Sequence, residues 1–137
     1  MGTVTIRWVE GTLMIGTDSN GNSIVIGRNP DEHSKFLGVK PSDLLLLATA
    51  SCTAYDVVEI LTKQREPMQD VRIHCTGEQL QDPPYTFTRI HLHYVITGDV
   101  NPDKLERAIR LSEDKYCSVI SSLRPGVPIS SDYEIRP

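Results

Sequence analysis

Several things are scarce in this 137-residue chain: only 6% of its residues are aromatic, three are cysteine, and the 14 basic residues never gather into a run. Against 18 acidic residues they leave a formal charge of −4. The cationic footprint that a phosphate backbone requires is therefore missing, and no nucleic-acid partner is expected. The longest uninterrupted aliphatic run, Leu44 to Ala48, falls far short of the roughly 20 residues that cross a bilayer, so no membrane partner is expected. The first eight residues lack a basic stretch followed by an apolar one, and Ile6 stands where a myristoylation signal needs Ser or Thr. These absences point to a cytoplasmic protein. An odd number of cysteines without an export signal argues against a structural disulfide framework, so each thiol is read as either core or chemistry.

What is present is an ordinary globular composition, 39% hydrophobic, and a length suited to one domain over residues 1–137. Thr3 to Val9 alternates apolar and polar, and Thr12 to Thr17 and Ser23 to Gly27 follow across short turns, giving a three-stranded meander. Residues 28–40 form a loop longer than most, and long loops often carry function. Pro41 suits a first helical position, and nothing breaks the pattern until about Arg65. From Leu44 to Ala54 every residue of this helix is apolar or small. A helix without a water-facing side is a buried one, and a domain this small hardly surrounds it alone. The expectation is a homodimer whose chains cover each other's central helix.

Two long strands follow, Asp70 to Leu80 and Tyr85 to Thr97. Asn101-Pro102 then reads as cap and first residue of a helix with Leu105, Ala108 and Ile109 on its apolar face. Ser112, followed by two acids, reads as the cap of a second helix, and Ile129 to Ile135 as a last strand. The order βββ-α-ββ-αα-β predicts an α+β fold with antiparallel sheets around a long buried helix.

The three cysteines read differently. Cys52 lies among the small residues of the apolar helix, which leave room for a reactant. Asp56 and Glu59 share its face and disfavour a thiolate, so a reactive Cys52 needs a cation from another segment. Cys117 lies soon after the proposed cap at Ser112, within reach of some of the helix dipole. Either could equally be a buried hydrophobe. Cys75 is in strand phase with Val71 and Ile73 and reads as core. His91 and His93 share one strand face and His74 lies on the adjoining strand, but no carboxylate or thiolate has a convincing spacing to them, so a polar outer face is expected and no metal site.

Two segments taken together carry a family resemblance: Lys40-Pro41-Ser42-Asp43-Leu44-Leu45-Leu46-Leu47-Ala48-Thr49-Ala50-Ser51-Cys52-Thr53-Ala54-Tyr55-Asp56-Val57-Val58 and Glu113-Asp114-Lys115-Tyr116-Cys117-Ser118-Val119. With their cysteines 65 residues apart, they resemble the signature segments of the OsmC/Ohr family, the osmotically inducible and organic-hydroperoxide-resistance thiol peroxidases. Asp56-Val57-Val58 and Tyr116-Cys117-Ser118-Val119 resemble its YhfA-like branch. The resemblance implies an intertwined homodimer with active sites at the subunit interface. It implies that Cys52 is the peroxidatic thiolate, that Cys117 resolves its sulfenic acid as a disulfide, and that an external dithiol, such as a lipoyl protein, reduces the pair. No metal and no bound cofactor is implied, because sulfur carries both electrons.

One position departs from the family pattern. Ser42 stands ten residues before Cys52, where well-studied members place a Glu that orients a thiolate-stabilising Arg. Asp43 is adjacent but lies about 180° around the wheel from the thiol, and Arg28 is the best candidate for the cation. The preferred expectation is a peroxidase acting on organic hydroperoxides or hydrogen peroxide. The alternative is a redox-sensing or binding dimer with little turnover. Acyl transfer by Cys52 would need a histidine base, and none lies beside either cysteine segment.

Overall fold

The computed structural model describes residues 1–137. The chain forms two compact units, Met1–Leu45 and Leu46–Pro137. In the first, β1 (Thr5–Glu10), β2 (Leu13–Thr17) and β3 (Ser23–Ile26) make the expected antiparallel meander in chain order. The loop after β3 folds back on that strand. Gly27, at φ +103°, receives the N–H groups of Leu37 and Gly38 on its carbonyl at 3.1 and 3.0 Å. A Cβ there would stand 1.9 Å from the Thr12 carbonyl oxygen, so only glycine fits.

α1 (Pro41–Lys63) is continuous, with Asp43 in its first turn and Lys63 in its last. The all-round burial expected of it is not found within one chain. Its buried line is Thr49, Thr53, Val57 and Leu61, one residue per turn. Leu47, Tyr55 and Val58 are 55%, 73% and 38% exposed. One chain covers one stripe of a helix that is apolar on several sides. With a mean hydropathy of 1.6, α1 also has the length and composition of a membrane-crossing helix, a property that core helices of soluble proteins share.

The second unit is built on the sheet β4–β5–β6, of Met68–Gln79, Phe87–Gly98 and Ile129–Arg136. β4 and β5 pair antiparallel, as expected, but β6 runs parallel to β5, with Ile90 opposite Ile129 and Ile96 opposite Ile135. The expectation of antiparallel sheets throughout is therefore corrected. Alternation along a strand fixes which face is buried but not its direction, because both directions share the period of two.

Inward-facing Ile90, Leu92, Tyr94 and Ile96 of β5 are fully buried, and the last three share a core cluster with Val57 and Leu61 of α1. α2 (Pro102–Leu111) adds the expected Leu105, Ala108 and Ile109, and its cap Asn101 accepts from the N–H groups of Asp103 and Lys104 at 2.9 and 3.2 Å. Ser112 does not cap a second α-helix. It opens a π-helical turn, Ser112–Tyr116, in which its carbonyl takes the N–H of Cys117 at 2.8 Å. The short α3 (Ser118–Leu123) starts only after it, capped by Cys117.

Candidate active site

α1 brings Cys52 and the π-helical turn brings Cys117 to the same place. Both are free thiols, Cys52 partly buried and Cys117 buried, and Cys52 packs against the core cluster that contains Cys117. Burial and then the Cys52 neighbour push the Cys117 thiol up to about 11, while the Ile120 N–H, donating to its Sγ at 3.4 Å, pulls the other way. The extended backbone of Cys117 (φ −74°, ψ 105°) aims the sulfur at that N–H.

Cys75 takes no part. It faces Leu92 across the β4–β5 ladder and packs against the core, and burial raises its thiol to about 11. Its place in the sheet matches the reading as a core residue.

Polar contacts that sequence reasoning missed join the two cysteine segments, with Thr53, Tyr94 and Ser112 buried and Asp56 and Glu113 partly buried. Thr53 shares a short hydrogen bond with the Tyr94 hydroxyl. That hydroxyl donates to Glu113 Oε1 at 3.2 Å, and Ser131 donates to Oε2 at 3.0 Å. Burial holds the Glu113 carboxyl above the ordinary range, against the lowering effect of Ser131, Tyr94 and Arg124. Asp56, expected only as a charge near Cys52, accepts from Ser112 Oγ at 2.8 Å. Glu113 lies four positions before Cys117 in the sequence, yet nothing local marks the carboxylate as partly buried, since its partners come from β5 and β6.

The remaining candidates lie in the first unit. Arg28 donates to the His33 carbonyl at 3.1 Å and stacks on Phe36, 4.4 Å from the ring centroid, so its guanidinium is held within its own loop. Asp43 is exposed at the start of α1.

The outer face of the second sheet corrects the reading of the histidines. Carboxylates do reach them, from β6, whose parallel register sets Asp132 beside His93 and Ser130 beside His91. Asp132 Oδ1 lies 3.0 Å from His91 Nε2 and 2.6 Å from His93 Nδ1, and Glu134 Oε1 is 3.0 Å from His93 Nε2. An ionised carboxylate only accepts, so contacts at both ring nitrogens favour the protonated form of His93. The Asp132 and then the Glu134 hydrogen bond raise its pKa accordingly. No group of three such side chains is arranged around a point that a metal could occupy.

Comparison with known proteins agrees with this architecture. Residues 31–132 match the family described as OsmC-like protein. The chain belongs to that family. Its relatives include Protein YhfA of Escherichia coli (strain K12), 35% identical over 131 residues that make up 95% of each chain, which sets it on the YhfA-like branch. A hypothetical protein from Aquifex aeolicus VF5 superposes with a TM-score of 0.83 at 29% identity, over 100% of this chain and 98% of the other. The organic hydroperoxide resistance protein OhrB of Bacillus subtilis shares the fold, with a TM-score of 0.64 at 18% identity over 98% of both chains.

Proposed function

We propose that this protein is a thiol-dependent peroxidase of organic hydroperoxides or hydrogen peroxide, serving oxidative-stress defence in the cytoplasm. The observation that carries the reading is the meeting of Cys52 and Cys117 as free thiols in one core cluster, close enough that Cys52 helps to raise the Cys117 thiol. Cys52 attacks the O–O bond as a thiolate, becoming a sulfenic acid while the alcohol or water leaves. Cys117 attacks that sulfur, an S–S bond forms, and the hydroxyl departs as water with the thiol's proton. An external dithiol, such as a lipoyl protein, then returns both cysteines to thiols. No resident cofactor, nucleic acid or membrane enters the cycle.

A homodimer is part of the same reading. Leu47, Tyr55 and Val58 of α1 stand exposed in one chain, on a helix whose composition asks for cover on every side. Ser42, which cannot ionise, favours modest turnover, and a redox-sensing role is the reading that remains if turnover is negligible.

The test follows peroxide consumption with excess dithiol. Wild type should consume organic hydroperoxide or hydrogen peroxide, and Cys52→Ser should lose at least a hundredfold in rate. Equal rates in the two proteins would remove Cys52 from the chemistry. Arg28 is proposed as the cation that favours the thiolate. Arg28→Ala should then slow Cys52 oxidation far more at pH 7 than at pH 10, where the thiolate forms without help.

A further inference from the structure

The thiol pair is framed by two polar tethers that join α1 to the chain around Cys117. Ser112 forms the first with both of its halves. Its hydroxyl donates to Asp56 Oδ2 at 2.8 Å, one helical turn beyond Cys52, and its carbonyl holds the N–H of Cys117 at 2.8 Å. The second runs from Thr53, the chain neighbour of Cys52, through the Tyr94 hydroxyl to Glu113 Oε1, with Ser131 closing on Oε2 at 3.0 Å. Thr53, Tyr94 and Ser112 are all fully buried. Each sulfur is thus a few bonds from a residue pinned to the element that carries the other.

Such a network is an expensive way to fill a core. Buried hydroxyls and carboxylates gain little over apolar side chains of the same shape, and they cost stability when one partner is missing. What a fully satisfied network adds is a single geometry. Disulfide closure is the step that needs one, because its rate and equilibrium depend on how often the two sulfurs meet in the correct orientation.

We infer that Tyr94 and Ser112 are positioning residues for closure of the Cys52–Cys117 disulfide, acting through Glu113 and Asp56 to hold the π-helical turn against α1. For the sulfenic acid the inference rests on the peroxidase reading; for the geometry of the pair it does not. The step balances without a further reactant: the sulfenic S–O bond breaks, the S–S bond forms, and the Cys117 proton leaves with the hydroxyl as water.

Two measurements on the full-length protein test it, with folding checked by circular dichroism. In the first, the dithiol and disulfide forms are equilibrated in glutathione buffers. Tyr94→Phe, which keeps the ring, should shift the equilibrium at least tenfold toward the dithiol, about 30 mV. Ser112→Ala should shift it in the same direction. Glu113→Gln, which keeps an oxygen for the Tyr94 hydroxyl, should stay within threefold of wild type, whereas a role of the carboxylate charge would move it as far as Tyr94→Phe.

In the second, one equivalent of hydroperoxide is added and the Cys52 sulfenic acid is trapped over time. The ratio of closure rate to oxidation rate should fall at least tenfold in Tyr94→Phe and in Ser112→Ala. Wild-type equilibria and ratios in either folded variant would overturn the inference, as would a Glu113→Gln shift equal to that of Tyr94→Phe. If wild type forms no sulfenic acid, the peroxidase reading fails and the glutathione measurement alone decides the positioning roles.

Discussion

β5 carries polar groups on both of its faces, and the two faces use them in opposite ways. Inward, Tyr94 is fully buried, and its hydroxyl lies between buried Thr53 and partly buried Glu113. Outward, His91 and His93 meet Asp132 and Glu134 in contacts that are partly open to solvent, with Asp132 61% exposed. A buried network confers geometry and penalises every vacancy. An exposed set of ion pairs is screened, and its members find water when a partner is removed. The same strand therefore holds its reactive side rigid and its outer side adjustable.

The sharpest way to break this comparison is to remove one hydroxyl from the inside. Tyr94→Phe leaves the Thr53 hydroxyl and one oxygen of Glu113 short of a partner, and should destabilise the reduced protein by about 1–3 kcal/mol. His93→Gln on the outside should do clearly less. Urea denaturation of both variants at neutral pH checks this, and equal losses would erase the distinction between the faces.

A second, smaller effect concerns pH. Burial raises the Glu113 carboxyl, so the fold favours its protonated form. Relative to a non-titrating side chain, the stability Glu113 contributes is fully present below the ordinary carboxylate pKa and is lost as pH rises through its raised value. Glu113→Gln should therefore gain on wild type between mildly acidic and neutral pH, with the difference shrinking toward pH 4. Stability curves of the two proteins against pH would show it, and a constant offset would contradict the burial effect.

The third and smallest effect sharpens the outer face. His93 is raised by Asp132 first and Glu134 second, so its stabilising contribution is complete below the unfolded histidine value and disappears as pH climbs through the raised one. The carboxylates Asp132 and Glu134 are lowered, so their share is present above the ordinary carboxylate range and is lost on acidification. Asp132→Asn should move the His93 titration, followed by its imidazole NMR signals, back toward 6.5 with little change in global stability. An unmoved titration would show that Asp132 is not its main partner.

Much of this was legible in the residues. The apolar alternation of Val71, Ile73 and Cys75 placed the inner face of β4, Asn101-Pro102 placed the start of α2, and Leu105, Ala108 and Ile109 placed its buried side. The two cysteine segments pointed to one site because each had a local signature. Three features were not legible, all for the same reason. The direction of β6, the carboxylates beside His91 and His93, and the partial burial of Glu113 depend on partners from distant stretches of chain. Ser112 misled for a different reason. A serine followed by two acids has the chemistry of a helix cap, but here the helix before it had not ended, and the turn widened to π instead.

The parallel run of β6 beside β5 has a consequence for how this architecture can vary. Strands that run side by side in the same direction cannot be joined by a tight turn, so the chain must travel back the length of the sheet between Gly98 and Ile129. Cys117 rides on that return leg, while Cys52 is built into the long helix. The two sulfurs thus belong to parts with different freedom to change. Residues can be added to or trimmed from the return leg without altering the register of either strand, and a change ahead of Cys117 that breaks its tethers to α1 would relocate the second sulfur while the first stayed where it was. Lineages or designs that lengthen this leg have a direct route from a protein that closes a disulfide to one that keeps a lone thiol.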